Sequence, residues 1–402
     1  MNLHLALLVA YCVGIMVMGV VLGRRTKTKG DFFVAGRSLG PGLLFATLVA
    51  ANIGAGSTVG ASGLGYRDGL SAWWWVGSAG LGSLVMAFLV GPRIRRIAAD
   101  NGLHTVGDFL ELRYGRNVRG IVASLLWVGT LAILAGQIIA MGLVLNAVTG
   151  LPKFVGCLLG GIVMTVYFTA GGLLTSAWVN ALQLVLELSV YAMLVPVALS
   201  RAGGLRALAA AAPPDPAYWS FWQGGGSGIA YLALLAPAFI ISPGLLQKVY
   251  GARDDRAVRL GVAANGLLLL LFAFVPVILG MVARALHPDL PNHELALPTL
   301  LVRDLPPVLG ALGLAAVFST EVNTADAILF MLSTSLSQDL YRGYVKPTGS
   351  TMEGFSCGMG RFENKTPSTK TGSKRCEPDH LLEYCDGTFS VKRWPLSQSA
   401  TA

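Results

Sequence analysis

The sequence predicts an all-α polytopic membrane protein, and three observations carry the prediction. Only 13% of the 402 residues are charged and 54% are hydrophobic, with a mean hydropathy of +0.62. An average soluble domain is about 25% charged. Apolar runs long enough to cross a bilayer of about 30 Å recur nine times. No comparable length alternates apolar and polar residues, so the runs are helices and not barrel strands. The 50 glycines fit this class too, since glycine is common in membrane helices.

In chain order the spans fall near 3–23, 40–65, 71–92, 121–148, 154–171, 176–200, 228–247, 259–283 and 308–336. The first is a retained helix and not a signal peptide. Its leading residues, Met1 to Leu5, hold no Lys or Arg, no small-residue cleavage pattern follows, and the positive cluster Arg24, Arg25, Lys27 and Lys29 lies after it. With the N-terminus outside, the inside loops carry 17 Lys and Arg and the outside loops 6. In loops this short that asymmetry sets orientation. It also accounts for the formal charge of +9 without nucleic acid. The expected location is the plasma (inner) membrane, with the C-terminal tail on the cytoplasmic side.

Two spans carry internal breakers. The second reads Ala50-Ala51-Asn52-Ile53-Gly54-Ala55-Gly56-Ser57-Thr58-Val59-Gly60, and the seventh holds Pro237 and Ser242-Pro243-Gly244. Pro removes a backbone donor and Gly weakens a helix. Small residues at Gly56-x-x-x-Gly60 also suit close helix packing. Two interrupted helices five apart point instead to a transporter site near the midplane.

The ninth span is the most polar. Thr320, Asn323 and Thr324 follow i, i+3, i+4 spacing and share a face. Neutral oxygens of this kind, with carbonyls from an unwound helix, suit a hard monovalent cation. Glu321 and Asp326 on the same span are carboxylates inside a membrane, and so candidates for proton titration or ion pairing. A polar helix–helix seam is the plainer alternative. Gln137 on span four, and Asn180, Gln183 and Glu187 on span six, read as isolated interhelical hydrogen-bonding groups. Trp73-Trp74-Trp75 reads as an interfacial aromatic belt, with Trp75 alternatively facing a substrate cavity. The sequon at Asn364 lies on the inferred cytoplasmic side and is discounted. The five cysteines form no disulfide or metal pattern. No nucleotide loop, zinc spacing or nucleophile–base set occurs, so neither an enzyme nor a primary pump is expected.

Composition breaks near Tyr344–Pro347. Only 16 of the last 56 residues are apolar. Residues 1–345 therefore read as the transmembrane domain, and 346–402 as a polar, disordered tail or a frameshifted or truncated end.

Along residues 5 to 345 the chain resembles the sodium:solute symporter family. The resemblance rests on Asp31-Phe32-Phe33-Val34-Ala35-Gly36-Arg37-Ser38-Leu39-Gly40, Ala50-Ala51-Asn52-Ile53, Gly171-Gly172 leading to Gln183, Gln247-Lys248, and Ser333-Thr334-Ser335 through Gln338-Asp339-Leu340-Tyr341. It implies a five-plus-five inverted-repeat fold after one extra N-terminal helix (3–23). The first repeat would be 40–200. The second, 228–336, would be incomplete. It implies a sodium site made of the backbone carbonyls of Ala50, Ile53 and Thr320 and the side-chain oxygens of Asn323 and Thr324. Most relatives have a hydroxyl where Asn323 stands. Asn52, Gly54, Ser57, Trp75 and Ser242 are the substrate candidates. Sugar-transporting relatives differ at Val76, Ser242 and Gly244, so a sugar is disfavoured. Asn180 replaces a common Asp.

The leading functional expectation is a sodium-coupled symporter of a small organic solute. Sodium would be the coupling ion, with no other cofactor. The solute, sodium and the bilayer are its partners, and the sequence sets no oligomeric state. The alternatives are a proton-coupled carrier using Glu321 or Asp326, a membrane sensor, and a non-transporting remnant.

Overall fold

Helices dominate a computed structural model that describes residues 3–23, 35–169, 173–223 and 228–345. The Arg24–Lys29 cluster, Asp31–Val34, Gly171–Gly172 and everything read into the tail from Lys346 lie outside the described residues. Helix is what lipid demands, because it satisfies each backbone group within its own segment. Helix α1 is Leu3–Gly23. α2, Pro41–Asn52, starts with Pro at its first position, where the missing N–H costs nothing. It stops because Ile53 is extended, and the chain rewinds through a π-helical turn, Gly56–Gly60, into α3, Ala61–Asp68. A tight turn follows at Gly69. Its φ of +69° and the close approach of Tyr218 both require glycine.

α4 is Trp73–Val85, and a second π-helical turn joins it to α5, Gly91–Asp100. α6, Val106–Tyr114, is opened by a capping box between Thr105 and Asp108. α7 is Arg116–Thr149, α8 Lys153–Thr169, α9 Leu173–Arg201 and α10 Gly204–Ala211. α11, Gly228–Ile241, ends at Ser242, and α12, Pro243–Tyr250, begins at the next residue. α13 is Asp255–Phe272, α14 Phe274–Leu286, α15 Ala296–Arg303 and α16 Pro307–Thr334. Asp254 caps α13 by accepting the Ala257 N–H at 2.6 Å, which holds its carboxyl below the usual range.

Among the described residues, six helical stretches are long and apolar enough to cross a membrane, beside the nine spans that the sequence suggests: Gly56–Asp100, Arg116–Thr149, Ser176–Arg201, Gly228–Tyr250, Asp255–Leu286 and Pro307–Tyr341. The first of these runs through α3, the turn at Gly69, α4 and α5. Leu5–Gly14, Pro41–Asn52 and Lys153–Val166 remain as shorter apolar helices.

α16 is the axis of the bundle. It packs on α1, α2, α7, α8 and α9, and almost its entire length is buried. The first broken helix wraps it, with α2 against α9 and α13 and α3 against α14. α4 crosses α11 and α13, and glycine makes the second crossing possible. A Cβ at Gly80 would sit 2.9 Å from the Gly266 carbonyl oxygen, and a Cβ at Gly266 the same distance from that of Gly80. Small residues at such crossings let membrane helices approach closely.

The Arg-rich end is pinned by hydrogen bonds. Leu39 N–H donates to Gly251 O (3.0 Å) and Arg253 N–H to Leu39 O (2.9 Å). These contacts join the start of the first broken helix to the end of the second. Arg119 bridges α7 to the turn after α16. It bonds Asp108 and Asp339 at 2.9 Å each and also pairs with Glu111.

Gly80→Val should overpack the α4–α13 crossing and cost about 1–3 kcal/mol. Thermal unfolding of the detergent-purified protein should show a midpoint several degrees lower. An unchanged midpoint would mean that the two helices do not depend on this contact.

Candidate functional site

Hydrogen-bond accounting across the first helix break builds the site. In an unbroken helix Ala50 O would accept from Gly54 N–H, and Ile53 O from Ser57 N–H. Neither bond forms. Gly54 N–H donates to Ser57 Oγ (2.9 Å) and Ser57 N–H to Gly54 O (3.0 Å). Ala55 N–H finds Gln137 Oε1 on α7 at 2.9 Å. Three N–H groups of the break thus find acceptors within it and on one neighbour. Of the freed carbonyls, those of Ala50 and Ile53 both lie 2.9 Å from Thr324 Oγ1 on α16. One hydroxyl proton serves only one of them at a time.

The approach of α16 depends on Gly54. A Cβ there would stand 2.7 Å from Thr324 Cβ and 2.7 Å from Gln137 Oε1. Thr320, Asn323 and Thr324 are all buried on α16. The Thr320 hydroxyl back-bonds to Val317 O (2.7 Å). Asn323 donates its Nδ2 to Glu187 Oε1 on α9 at 3.0 Å. Its Oδ1 is buried with no donor among the described residues. Three of the implied ligands, Ala50 O, Ile53 O and Thr324 Oγ1, thus meet, and Asn323 Oδ1 is a further buried oxygen without a donor. A small cation would satisfy oxygens of this kind.

Behind this face lies a second polar layer. Ser319 Oγ donates to Glu187, and Tyr11 OH on α1 donates to Ser319 Oγ. Gln183 Nε2 on α9 donates to Tyr11 OH and, at 3.3 Å, to Ser319 Oγ. Glu321 is fully buried and accepts from Thr58 Oγ1 (3.0 Å), which clamps the rewound turn to α16. Asp326 accepts from Ser176 Oγ at 2.5 Å.

Between the two broken helices lies a cavity of about 390 Å³. Asn52, Ser242, Thr324 and Lys248 supply polar groups to walls that are otherwise mostly apolar. Lys248 is buried, and its Nζ donates to Thr47 Oγ1 at 3.2 Å. Asn52 Nδ2 donates to Asn265 Oδ1 (3.1 Å), whose own amide donates to Ser83 Oγ (3.1 Å).

Of the five substrate candidates, Asn52 and Ser242 line this cavity and the other three do not. Ser57 is folded back on Asn52 O and Gly54 O and serves the break. Gly54 is buried against Thr324 and Gln137. Trp75 donates from Nε1 to Gly56 O (2.8 Å) and packs edge-on against Tyr231. Nor do the three tryptophans form a simple belt. Trp74 is buried against Trp222, and Trp73 packs on Phe221 and Phe274.

Gln137 and Glu187, which by sequence read as isolated polar groups, stand directly behind the site. The sequence does carry a signal for Glu187. Ser176, Asn180, Gln183, Glu187 and Tyr191 form one polar stripe at i, i+4, i+7, i+11, i+15 along an otherwise apolar helix.

Comparison with known proteins concerns the chain as a whole. A model of the sodium:solute symporter family matches residues 32–360. The human sodium/iodide cotransporter is 27% identical over 370 residues, covering 84% of this chain and 55% of that protein. The sodium/pantothenate symporter of Escherichia coli (strain K12) is 28% identical over 352 residues, covering 83% of this chain and 71% of that protein. The chain therefore spans a little over half of the first relative and less than three quarters of the second. Among solved structures, a Na+-coupled sialic acid symporter in a substrate-bound outward-open state superposes with a TM-score of 0.73 at 18% identity, covering 86% of this chain and 75% of that one.

Gln137→Leu strands the Ala55 N–H inside the break, at a cost of about 1–3 kcal/mol. Lower thermal stability is expected, with recovery in Gln137→Glu, which keeps the acceptor. Equal stability of all three proteins would remove Gln137 from the break.

Proposed function

The chain belongs to the sodium:solute symporter family, and from that footing we propose that it works as a sodium-coupled symporter of a small organic solute in the plasma membrane. One observation carries the reading. Two carbonyls that the helix break frees, Ala50 O and Ile53 O, both meet Thr324 Oγ1 at 2.9 Å. Next to Thr324 in the chain, Asn323 holds a buried side-chain oxygen with no donor among the described residues. Sodium held by these groups and by the Thr320 carbonyl would tie the broken helix to α16.

The same turn serves the solute. Ala51 and Asn52 face the cavity while Ala50 and Ile53 face the ion, and Thr324 touches both. An ion that fixes this turn therefore fixes part of the solute's wall, and the solute returns the favour by the same factor. In this reading the two broken helices are equivalent members of inverted repeats that follow one extra N-terminal helix. The Arg-rich end faces the cytoplasm.

The cavity wall narrows the solute class. Lys248 is its one ionisable lining residue, and no carboxylate lines it. Buried Asp326 interacts with this ammonium electrostatically without a direct ion pair, and a solute with an anionic end would add a direct partner that a sugar cannot. Proton coupling through Glu321 or Asp326 has less support. Thr58 and Ser176 each bond one oxygen of these carboxylates, and neither acid lines the cavity.

Uptake into proteoliposomes should collapse when choline replaces sodium at constant pH, and Thr324→Ala should raise the half-saturating sodium concentration about tenfold. Transport that persists without sodium would overturn the coupling. Competition should favour short monocarboxylates over their uncharged amides, and Lys248→Gln should erase that preference. Equal competition by both classes in the unaltered protein would exclude Lys248 from recognition.

A further inference from the structure

Asn323 raises a problem that a hydroxyl at the same place would not. A primary amide has an accepting end and a donating end of nearly the same size. Turned the right way, it offers a cation its oxygen. Turned the other way, it presents an NH2 group that repels the ion. A serine or threonine hydroxyl always keeps lone pairs to offer. An asparagine in a cation site therefore needs a neighbour that decides which way it faces.

Glu187 has the chemistry and the position to decide. Its Oε1 lies 3.0 Å from Asn323 Nδ2. That oxygen is also the acceptor for the Ser319 hydroxyl. It accepts whether or not the other carboxyl oxygen carries a proton, so the amide's NH2 end is held toward α9 in either state. The carboxyl group is itself immobilised. Ser319 is held by Tyr11 from α1 and by Gln183 from the preceding turn of α9. Asn323 Oδ1 then faces away from Glu187, buried and without a donor. A carboxylic acid at this depth in a membrane helix is expensive and calls for a role.

We propose that Glu187 is the positioning residue of the ion site: by accepting the Asn323 amide it turns the Asn323 carbonyl oxygen toward sodium. The inference rests on the ion site proposed above. Glu187 does not touch the ion in this arrangement. It acts through Asn323, and its effect requires an amide at that position.

The test measures sodium binding to the purified full-length chain as sodium-dependent thermal stabilisation at constant ionic strength. Glu187→Met removes the acceptor and should weaken sodium binding about tenfold. Glu187→Gln keeps an accepting oxygen and should stay within about threefold of the unaltered protein. Asn323→Ser removes the need for orientation, so adding Glu187→Met to it should change sodium binding by less than about threefold. The proposal is overturned if Glu187→Met weakens binding equally in both backgrounds, if it has no effect in either, or if Glu187→Gln is as damaging as Glu187→Met. Should Glu187→Met alone fail to fold, the Asn323→Ser/Glu187→Met pair decides, since weak binding there contradicts the proposal. Thr324→Ala in the same assay separates two failures. Unchanged sodium binding in Thr324→Ala means that the ion site itself is misplaced. A normal loss there, with the Glu187 series failing, rejects only this inference.

Discussion

The interruption at Ile53–Ala55 is the constraint on which the rest of the site depends. Each unpaired backbone group in a low-dielectric interior costs free energy comparable to a lost hydrogen bond. The break is resolved asymmetrically. Ser57 Oγ and Gln137 Oε1 take the freed N–H groups, while the freed carbonyls of Ala50 and Ile53 are turned toward α16. The outcome is a small region rich in acceptors and poor in donors. Such a region attracts cations without needing a formal negative charge among its ligands. Gly54 is the steric condition for it, because any side chain there would hold Thr324 away.

The same constraint explains why α16 is buried along nearly its whole length. It presents Ser319, Thr320, Glu321, Asn323, Thr324 and Asp326, all buried, and a polar residue in the bilayer needs a partner in every direction it faces. The neighbours supply them one at a time. Thr58 answers Glu321, Ser176 answers Asp326, and Glu187 answers both Ser319 and Asn323. Each pairing joins two helices, so together they set the register of α3 and α9 on α16. Helix packing among small residues brings the elements close. The polar pairs then select one alignment.

Much of this is legible in the order of the residues. The helix breaks are visible because Gly and Pro act locally, and the interruptions they mark fall where α2 gives way to α3 and α11 to α12. The shared face of Thr320, Asn323 and Thr324 on α16 is visible because i, i+3, i+4 spacing puts residues on one face of any helix. The polar atoms of Trp75 and Ser57 bond to backbone that only the folded break presents, which no local pattern shows. Gln137 lies 82 residues from the N–H it accepts, and no local pattern announces such a pairing.

Composition and periodicity are thus enough to establish a helical membrane protein and to mark the two broken helices. Those properties follow from the bilayer as solvent and from the geometry of a single helix. Tertiary structure alone decides which carbonyls meet Thr324, that Lys248 stands on the cavity wall, and that Glu187 stands behind Asn323. These are meetings between helices far apart in the chain, and they depend on packing, which no single helix contains.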